Sequence, residues 1–282
     1  MRPLFLLSLF APAFALASAE GVNPKATDLF EIGGIPVSNS ILTTWILAVL
    51  IIIAVRVLVG TPKIIPNKGQ ALVENVASGL RDALEPIVGK KMIGKTFPVL
   101  CGFFVFILLM NWSGLLPGVG TIKYQSADGH WLDAIRPANS DLNTTLALSI
   151  LSFLAWTYFV LRYAGLKALV FDLFGNKADK RELSMLMWLM LGCIFLGVGV
   201  IEVLSIASRL ISLPFRLYGN VFGGENLIHT LGGIAPYVVP AIAGMLEVLV
   251  GLIQAFVFTL LSAVYIGLIC NHDAGHDDEH AH

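Results

Sequence analysis

Charge is scarce in this 282-residue sequence: only 13% of its residues are Asp, Glu, Lys or Arg. A soluble domain of this length needs a charged exterior. With 56% hydrophobic residues and a mean hydropathy of +0.81, this chain could not hide its apolar surface from water. The net charge is −1 and no basic tract occurs, so no nucleic-acid partner is implied. Cysteine is also sparse. Cys101, Cys193 and Cys270 sit inside or at the edge of apolar runs, without CxxC or disulfide spacing, and read as small hydrophobic packing residues. No phosphate-binding loop or other nucleotide motif is present, so neither a directly bound nucleotide nor a cofactor is expected.

What the sequence does have is apolar runs of about 20 residues, the length of helix that crosses a bilayer. Lipid-exposed backbone must satisfy its own hydrogen bonds, so these runs point to helices. The expected class is an all-α membrane protein. It has three transmembrane helices within 41–184, an amphipathic cytoplasmic-surface helix over 71–88, and a long, strongly tilted C-terminal membrane hairpin over 185–270. Residues 1–19 read as a signal peptide: Arg2, an apolar stretch from Leu4 to Ala17, and the small-x-small site Ala17-Ser18-Ala19. The alternative is a retained, interfacial N-terminus. On either reading, the segment 20–40 lies on the outer side.

The first span runs from Ile41 to Val59, the second from Pro98 to Leu116 and the third from Leu142 to Leu161. In the surface helix, Leu72, Val76, Leu80 and Leu84 share one face, with Glu74, Arg81, Asp82 and Glu85 on others. Lys and Arg set the orientation. Residues 56–95 carry Arg56, Lys63, Lys68, Arg81, Lys90, Lys91 and Lys95, and residues 162–181 carry Arg162, Lys167, Lys177, Lys180 and Arg181. The loop 118–141 has only Lys123 and Arg136. The positive-inside rule then places the first two segments in the cytoplasm and the loop outside, with the N-terminus outside and the C-terminus cytoplasmic.

Residues 185–270 are almost all apolar, broken clearly only around Gly232, Gly233 and Pro236. Two helices of about 35 to 47 residues would each be ~50–70 Å long, against a hydrocarbon core of ~30 Å. Upright, they would carry bare apolar surface into water, so they are either strongly tilted or broken; the tilted hairpin is the reading adopted here. The tail 271–282 is acidic and His-rich without Lys or Arg. It is expected to be solvated and disordered rather than a metal site, since nothing fixes the ligands.

Five charges interrupt this hairpin: Glu202, Arg209, Arg216, Glu225 and Glu247. A charge at the bilayer centre costs ~2.5–3.5 kcal/mol on insertion scales, and intramembrane ionisable groups usually mark an ion or proton path. Glu202, Ser205, Arg209, Ser212, Arg216, Gly219 and Gly223 follow one another at intervals of 3 or 4 and so share one helix face. This face is expected to be a seam in which small residues allow close packing. Along the axis Glu202 lies ~21 Å from Arg216 on one side and Glu225 ~13 Å on the other. Pro214, two residues before Arg216, either bends the helix to seat the arginine or is simply tolerated. On the last helix, Glu247, Gly251, Gln254 and Phe258 share a face by the same spacing.

Several of these residues form recognisable motifs. Arg216-Leu217-Tyr218-Gly219-Asn220, followed by Gly224-Glu225, resembles the essential-arginine motif of the F-type ATP synthase subunit a family. Gln254-Ala255-Phe256-Val257-Phe258 is similar to that family's last-helix motif. Met110-Asn111 with Leu115-Leu116-Pro117, and Asp141-Leu142-Asn143-Thr144-Thr145, resemble two further signatures. The resemblance covers about residues 41–270, in the family's order. Where some bacterial relatives have Glu and His at the paired positions, this chain has Glu225 and Glu247. That leaves open which group relays the proton there, and His229, one turn after Glu225, could share the task.

The resemblance implies a non-catalytic, proton-translocating stator subunit in a bacterial inner membrane. Its partners would be a c-ring bearing membrane carboxylates, the subunit b peripheral stalk and the lipid bilayer. Protons would enter from outside through one half-channel past Asp141, Asn220, Glu225, Glu247 and Gln254. They would leave toward the cytoplasm through a second, past Glu202, Ser205, Arg209 and Ser212, with Arg216 as the gate. An arginine suits a gate because it stays charged and favours the ionised form of a carboxylate brought beside it. The competing class, a self-contained secondary transporter, would carry internal inverted repeats and paired broken helices. No such repeat is found.

Overall fold

The structure is a computed structural model and describes residues 26–116, 119, 123–125, 131–133, 135–166, 169–170, 185–232 and 238–270. The signal-like residues 1–19, the tail 271–282 and most of the basic segment 162–181 lie outside the described residues.

The described chain opens with an antiparallel hairpin, β1 (Asp28–Ile32) and β2 (Ile35–Ser38), with Ile32 opposite Ile35. Gly33 and Gly34 connect them with φ of 59° and 84°. A tight hairpin turn needs positive φ at both central residues, and glycine takes it without steric cost. Helix α1 (Asn39–Val59) follows directly, because the Ser38 side chain accepts a hydrogen bond from the Ile41 N–H at 3.4 Å. Its apolar side chains Trp45, Val49, Leu50, Ile52 and Ile53 are exposed, which suits a helix facing lipid.

Helix α2 (Lys68–Val88) starts three residues earlier than expected, because Asn67 Oδ1 accepts from the Gln70 N–H at 2.6 Å and caps the first turn. Gln70 also pins the preceding loop, accepting from the Lys63 N–H at 3.2 Å and donating to its carbonyl at 2.9 Å. The apolar face is covered only in its second half. Leu80 and Leu84 are buried, whereas Leu72 and Val76 are exposed.

Gly89, at φ 88°, separates α2 from α3 (Lys90–Trp112), which runs into the short 3-10 turn Ser113–Leu115. The helix begins well before Pro98. The exposed Lys90, Lys91 and Lys95 mark where apolarity starts, but a helix continues through a charged rim without interruption. A second small antiparallel pair, β3 (Lys123–Gln125) and β4 (Trp131–Asp133), lies in the segment read as a loop. Helix α4 (Leu142–Phe159) passes into a π-helical turn, Val160–Ala164, closed by Gly165 at φ 83°. The last two helices are α5 (Met185–Gly232), which runs through Pro214 unbroken, and α6 (Val238–Cys270). At 48 and 33 residues they measure about 72 and 50 Å at ~1.5 Å per residue. Among the described residues, five helices are long and apolar enough to cross a membrane: those containing Asn39–Val59, Lys90–Leu115, Leu142–Ala164, Met190–Ile228 and Pro240–Leu268.

The chain divides into two compact units. The first comprises residues up to Ala77, Gly102–Ala147 and Pro214–Phe258; the second comprises Ser78–Cys101, Leu148–Leu213 and Thr259 onward. In the first, Ile107 and Met110 of α3, Leu217 and Val221 of α5, and Ala255 and Phe258 of α6 are buried. Phe103 meets Phe258 edge-on, with ring centres 5.9 Å apart. In the second, Leu84, Val88, Ile93, Leu100, Val160, Ala263 and Ile266 are buried. There Gly267 of α6 abuts the Ile87 carbonyl so closely that a side chain would clash. Ser152 and Ser262 share a hydrogen bond of 2.9 Å, and Trp156 Nε1 donates to the Tyr265 carbonyl at 3.1 Å.

Candidate functional site

The first unit gathers polar side chains from four separate stretches of sequence. From α3, Asn111 Nδ2 donates to the Gly251 carbonyl of α6 at 3.0 Å, and Trp112 Nε1 donates to the Val248 carbonyl at 3.1 Å. These bonds fix the end of α3 against α6 at the level of Glu247. The close approach uses Gly251, where a Cβ would stand 3.1 Å from Asn111 Cβ. Asn139 Nδ2, in the short turn Ala138–Ser140, donates to Asn111 Oδ1 at 2.8 Å. Asn220 of α5 donates to Gln254 Oε1 of α6 at 3.0 Å, bridging the two long helices. Gln254 is buried, and its Nε2 finds no hydrogen-bond partner among the described residues.

Two carboxylates meet this network. Glu225 pairs with Arg136, Nη2 to Oε2 at 3.8 Å, with the two side chains only 5% and 11% exposed. Glu247 reaches from α6 onto α5 at Gly224, where a Cβ would stand 3.1 Å from its Cδ and Oε1. Glycine at 224 is thus what lets this carboxyl group lie beside the Glu225 position. Asp141 is buried in the same unit, but its Oδ1 accepts from the Asn143 N–H at 3.1 Å and caps α4. Among the described contacts, none joins it to Glu225, Glu247 or Gln254.

Arg216 belongs to this unit as well but stands outside the network. It is exposed on α5, next to the exposed Phe215 and the fully buried Leu217. Among the described residues it has no ion-pair or hydrogen-bond partner. Gly219 and Gly223, on the same face, are exposed, and a Cβ at either would meet nothing within 4 Å. The face expected to be a packed seam is therefore uncovered by the chain's own helices here. An apolar helix face that turns outward looks the same in sequence as one that turns inward.

The second unit holds the other expected group. Arg209 Nη2 donates to Ser205 Oγ at 2.6 Å and lies 3.6 Å from Glu202 Oε1, with the two charged side chains 27% and 47% exposed. Its guanidinium also stands 3.9 Å from the centre of the Tyr265 ring of α6. Ser212, next along the same face, is exposed, and among the described contacts no hydrogen bond joins it to this group. Glu202, Ser205 and Arg209 thus come together as their spacing implied, because i, i+3 and i+7 neighbours on a helix meet by geometry alone. The side chain of His229 lies outside the described residues.

Arg136, Asn111 and Asn139 as one network escaped the reading of the sequence. Arg136 counted there only as one of two positive residues in an outer loop. The available hint was its place five residues before the Asp141 motif, with Pro137 stiffening the chain between.

The family model described as "ATP synthase A chain" matches residues 41–267. The chain belongs to that family. Two of its relatives agree in extent. "ATP synthase subunit a 2" of Bradyrhizobium sp. is 29% identical over 242 residues, 86% of this chain and 93% of the relative. "ATP synthase subunit a" of Moorella thermoacetica is 29% identical over 243 residues, 86% of this chain and 95% of the relative. The ATP synthase A chain match takes in all five long apolar helices in whole or in large part, and with them this is a multi-pass membrane protein. Every residue named in the two polar groups also falls within the ATP synthase A chain match.

Proposed function

We propose that this chain is the proton-translocating, non-catalytic subunit of an F-type ATP synthase in a bacterial inner membrane. It loads and unloads protons on a rotating c-ring through two offset half-channels, and so couples proton flow to rotation and ATP synthesis. The observation that carries this reading is Arg216, an exposed charge on a membrane helix, on the face that it shares with Gly219 and Gly223. Leaving such a charge toward lipid costs ~2.5–3.5 kcal/mol on insertion scales. A partner that brings a carboxylate to that face removes the cost. The exposed Gly219 and Gly223 beside it leave room for a second helix to approach.

The mechanism follows from charge. Opposite charge favours an ionised carboxylate, so a ring carboxylate arriving at Arg216 gives up its proton, and one leaving it takes a proton up again. Arginine suits the task because it keeps its own proton and presents a fork of donors. The polar group of the first unit, with Asn220, Glu225, Glu247, Gln254 and the nearby Asp141, supplies the outer path. Glu202, Ser205, Arg209 and Ser212 supply the cytoplasmic one. Each charge crossing the field releases ~2.3 kcal/mol per 100 mV. The N-terminus lies outside and the C-terminus in the cytoplasm, the long helices α5 and α6 form a tilted membrane hairpin, and the peripheral-stalk subunit b holds the chain as a stator.

The test is Arg216→Gln, which keeps bulk and hydrogen-bonding capacity but removes charge. ATP-driven proton pumping into membrane vesicles should fall at least about a hundredfold, the equivalent of ~3 kcal/mol, with the assembled complex at its normal level. Near-normal pumping by this variant would refute the reading.

A further inference from the structure

Arg136 and Glu225 of the first unit share a nearly dry site that the half-buried Glu247 reaches, and only the two carboxylates belong to the proton path described so far. Arg136 and Glu225 are 5% and 11% exposed and stand 3.8 Å apart. The Glu247 carboxyl group rests on Gly224, the neighbour of Glu225, with Oε1 3.1 Å from the Cβ position there. The segment bearing Arg136 is held in place on both flanks. Pro137 Cγ lies 3.0 Å from where a Cβ on Gly114 would stand, and Asn139 is tied to Asn111 at 2.8 Å. A buried charge is tolerated only when another offsets it. One guanidinium, which cannot give up its proton, offsets one carboxylate and no more. The set of Arg136, Glu225 and Glu247 is therefore neutral when it carries a single carboxyl proton.

We propose that Arg136 is a positioning cation of the outer proton path, which sets the Glu225–Glu247 pair to carry one transferable proton at a time. This rests on the reading above that these carboxylates pass protons. In the step, an O–H bond forms on a carboxylate oxygen as a proton arrives from hydronium. The same bond breaks as the proton passes on, and the cluster alternates between charge 0 and −1. Arg136 neither exchanges its own proton nor meets the ring. Without it, the two carboxylates are neutral only with two protons bound, and the pair no longer releases one readily.

The test measures ATP-driven proton pumping in membrane vesicles, divided by the amount of assembled complex, so that a merely structural role shows in the amount and not in the quotient. Arg136→Gln should lower pumping per complex at least about tenfold, whereas Arg136→Lys should stay within about threefold of wild type. Combining Arg136→Gln with Glu225→Gln again leaves a one-proton set. That double variant should pump at least about threefold faster per complex than Arg136→Gln alone. Wild-type pumping by Arg136→Gln, a lysine variant no faster than the glutamine variant, or a double variant without recovery each overturns the inference. Should Arg136→Gln not assemble, Arg136→Lys decides, and a loss of about tenfold or more per complex overturns it. Wild-type pumping by Glu247→Leu would overturn the underlying reading instead.

Discussion

In the first unit the polar groups around Glu225 and Gln254 are held by residues distant in sequence, whereas in the second the charged residues of α5 are held chiefly by their own helix. Asn111 reaches Gly251, Arg136 reaches Glu225 and Asn220 reaches Gln254, all with little exposure. Glu202, Ser205 and Arg209 lie within two turns of α5, and their ion pair is partly exposed. Burial decides the consequence. A buried group that loses its partner keeps its whole desolvation penalty, while an exposed pair is worth at most ~1 kcal/mol. The same helix can therefore carry one stretch that tolerates little change and another that tolerates much.

The largest contrast is expected between the acidic residues of the two units. Glu247→Leu should lower ATP-driven pumping about a hundredfold, within the range a positioned proton-transfer group contributes, with the complex still assembled. Pumping at more than about a third of the wild-type rate would place Glu247 outside the path and erase the distinction.

A smaller contrast concerns glycine. In the first unit, Gly224→Ala puts a methyl 3.1 Å from Glu247 Cδ and Oε1, tighter than most carbon contacts, so the carboxyl group must shift. Pumping should fall severalfold, since proton transfer depends on hydrogen-bond geometry, while the amount of complex changes little. In the second unit, Gly197→Ala meets nothing within 4 Å and should leave both the amount of complex and pumping unchanged. Equal effects at the two positions would show that the Glu247 carboxyl group is not held by Gly224.

Among the charged residues, the smallest effect is expected at Arg209→Gln. Glutamine can still reach Ser205, and the partly exposed pair with Glu202 contributes at most ~1 kcal/mol. Pumping should drop by no more than about fivefold, corresponding to that energy. A loss as deep as that of Arg216→Gln would show that contact with Tyr265, 3.9 Å away, gives this arginine a greater part than its exposure suggests.

Much of the helical layout was legible in the sequence, and the departures have definite causes. Leu142 begins α4 as expected because the Asp141 side chain marks the boundary locally. Helix α3 began earlier than its apolar run, since hydropathy marks the membrane edge and not the helix end. The hairpin at Gly33-Gly34 carried a turn signal, two glycines between β-branched residues, that went unread. Arg136 carried almost no signal at all.

By itself the sequence determined the membrane class, the long apolar helices and the scarcity of charge within them. It also determined which side chains meet along a single helix, as Glu202, Ser205 and Arg209 do, because a helix places every third and fourth residue together whatever surrounds it. Only the tertiary structure decided that Arg136 reaches Glu225, that Asn111 ties α3 to α6, and that the face bearing Arg216 is left uncovered. Lipid is as apolar as a protein core, so the pattern of hydrophobic residues does not distinguish an inward face from an outward one. That choice is made by close packing between segments far apart in the chain, and no local period records it.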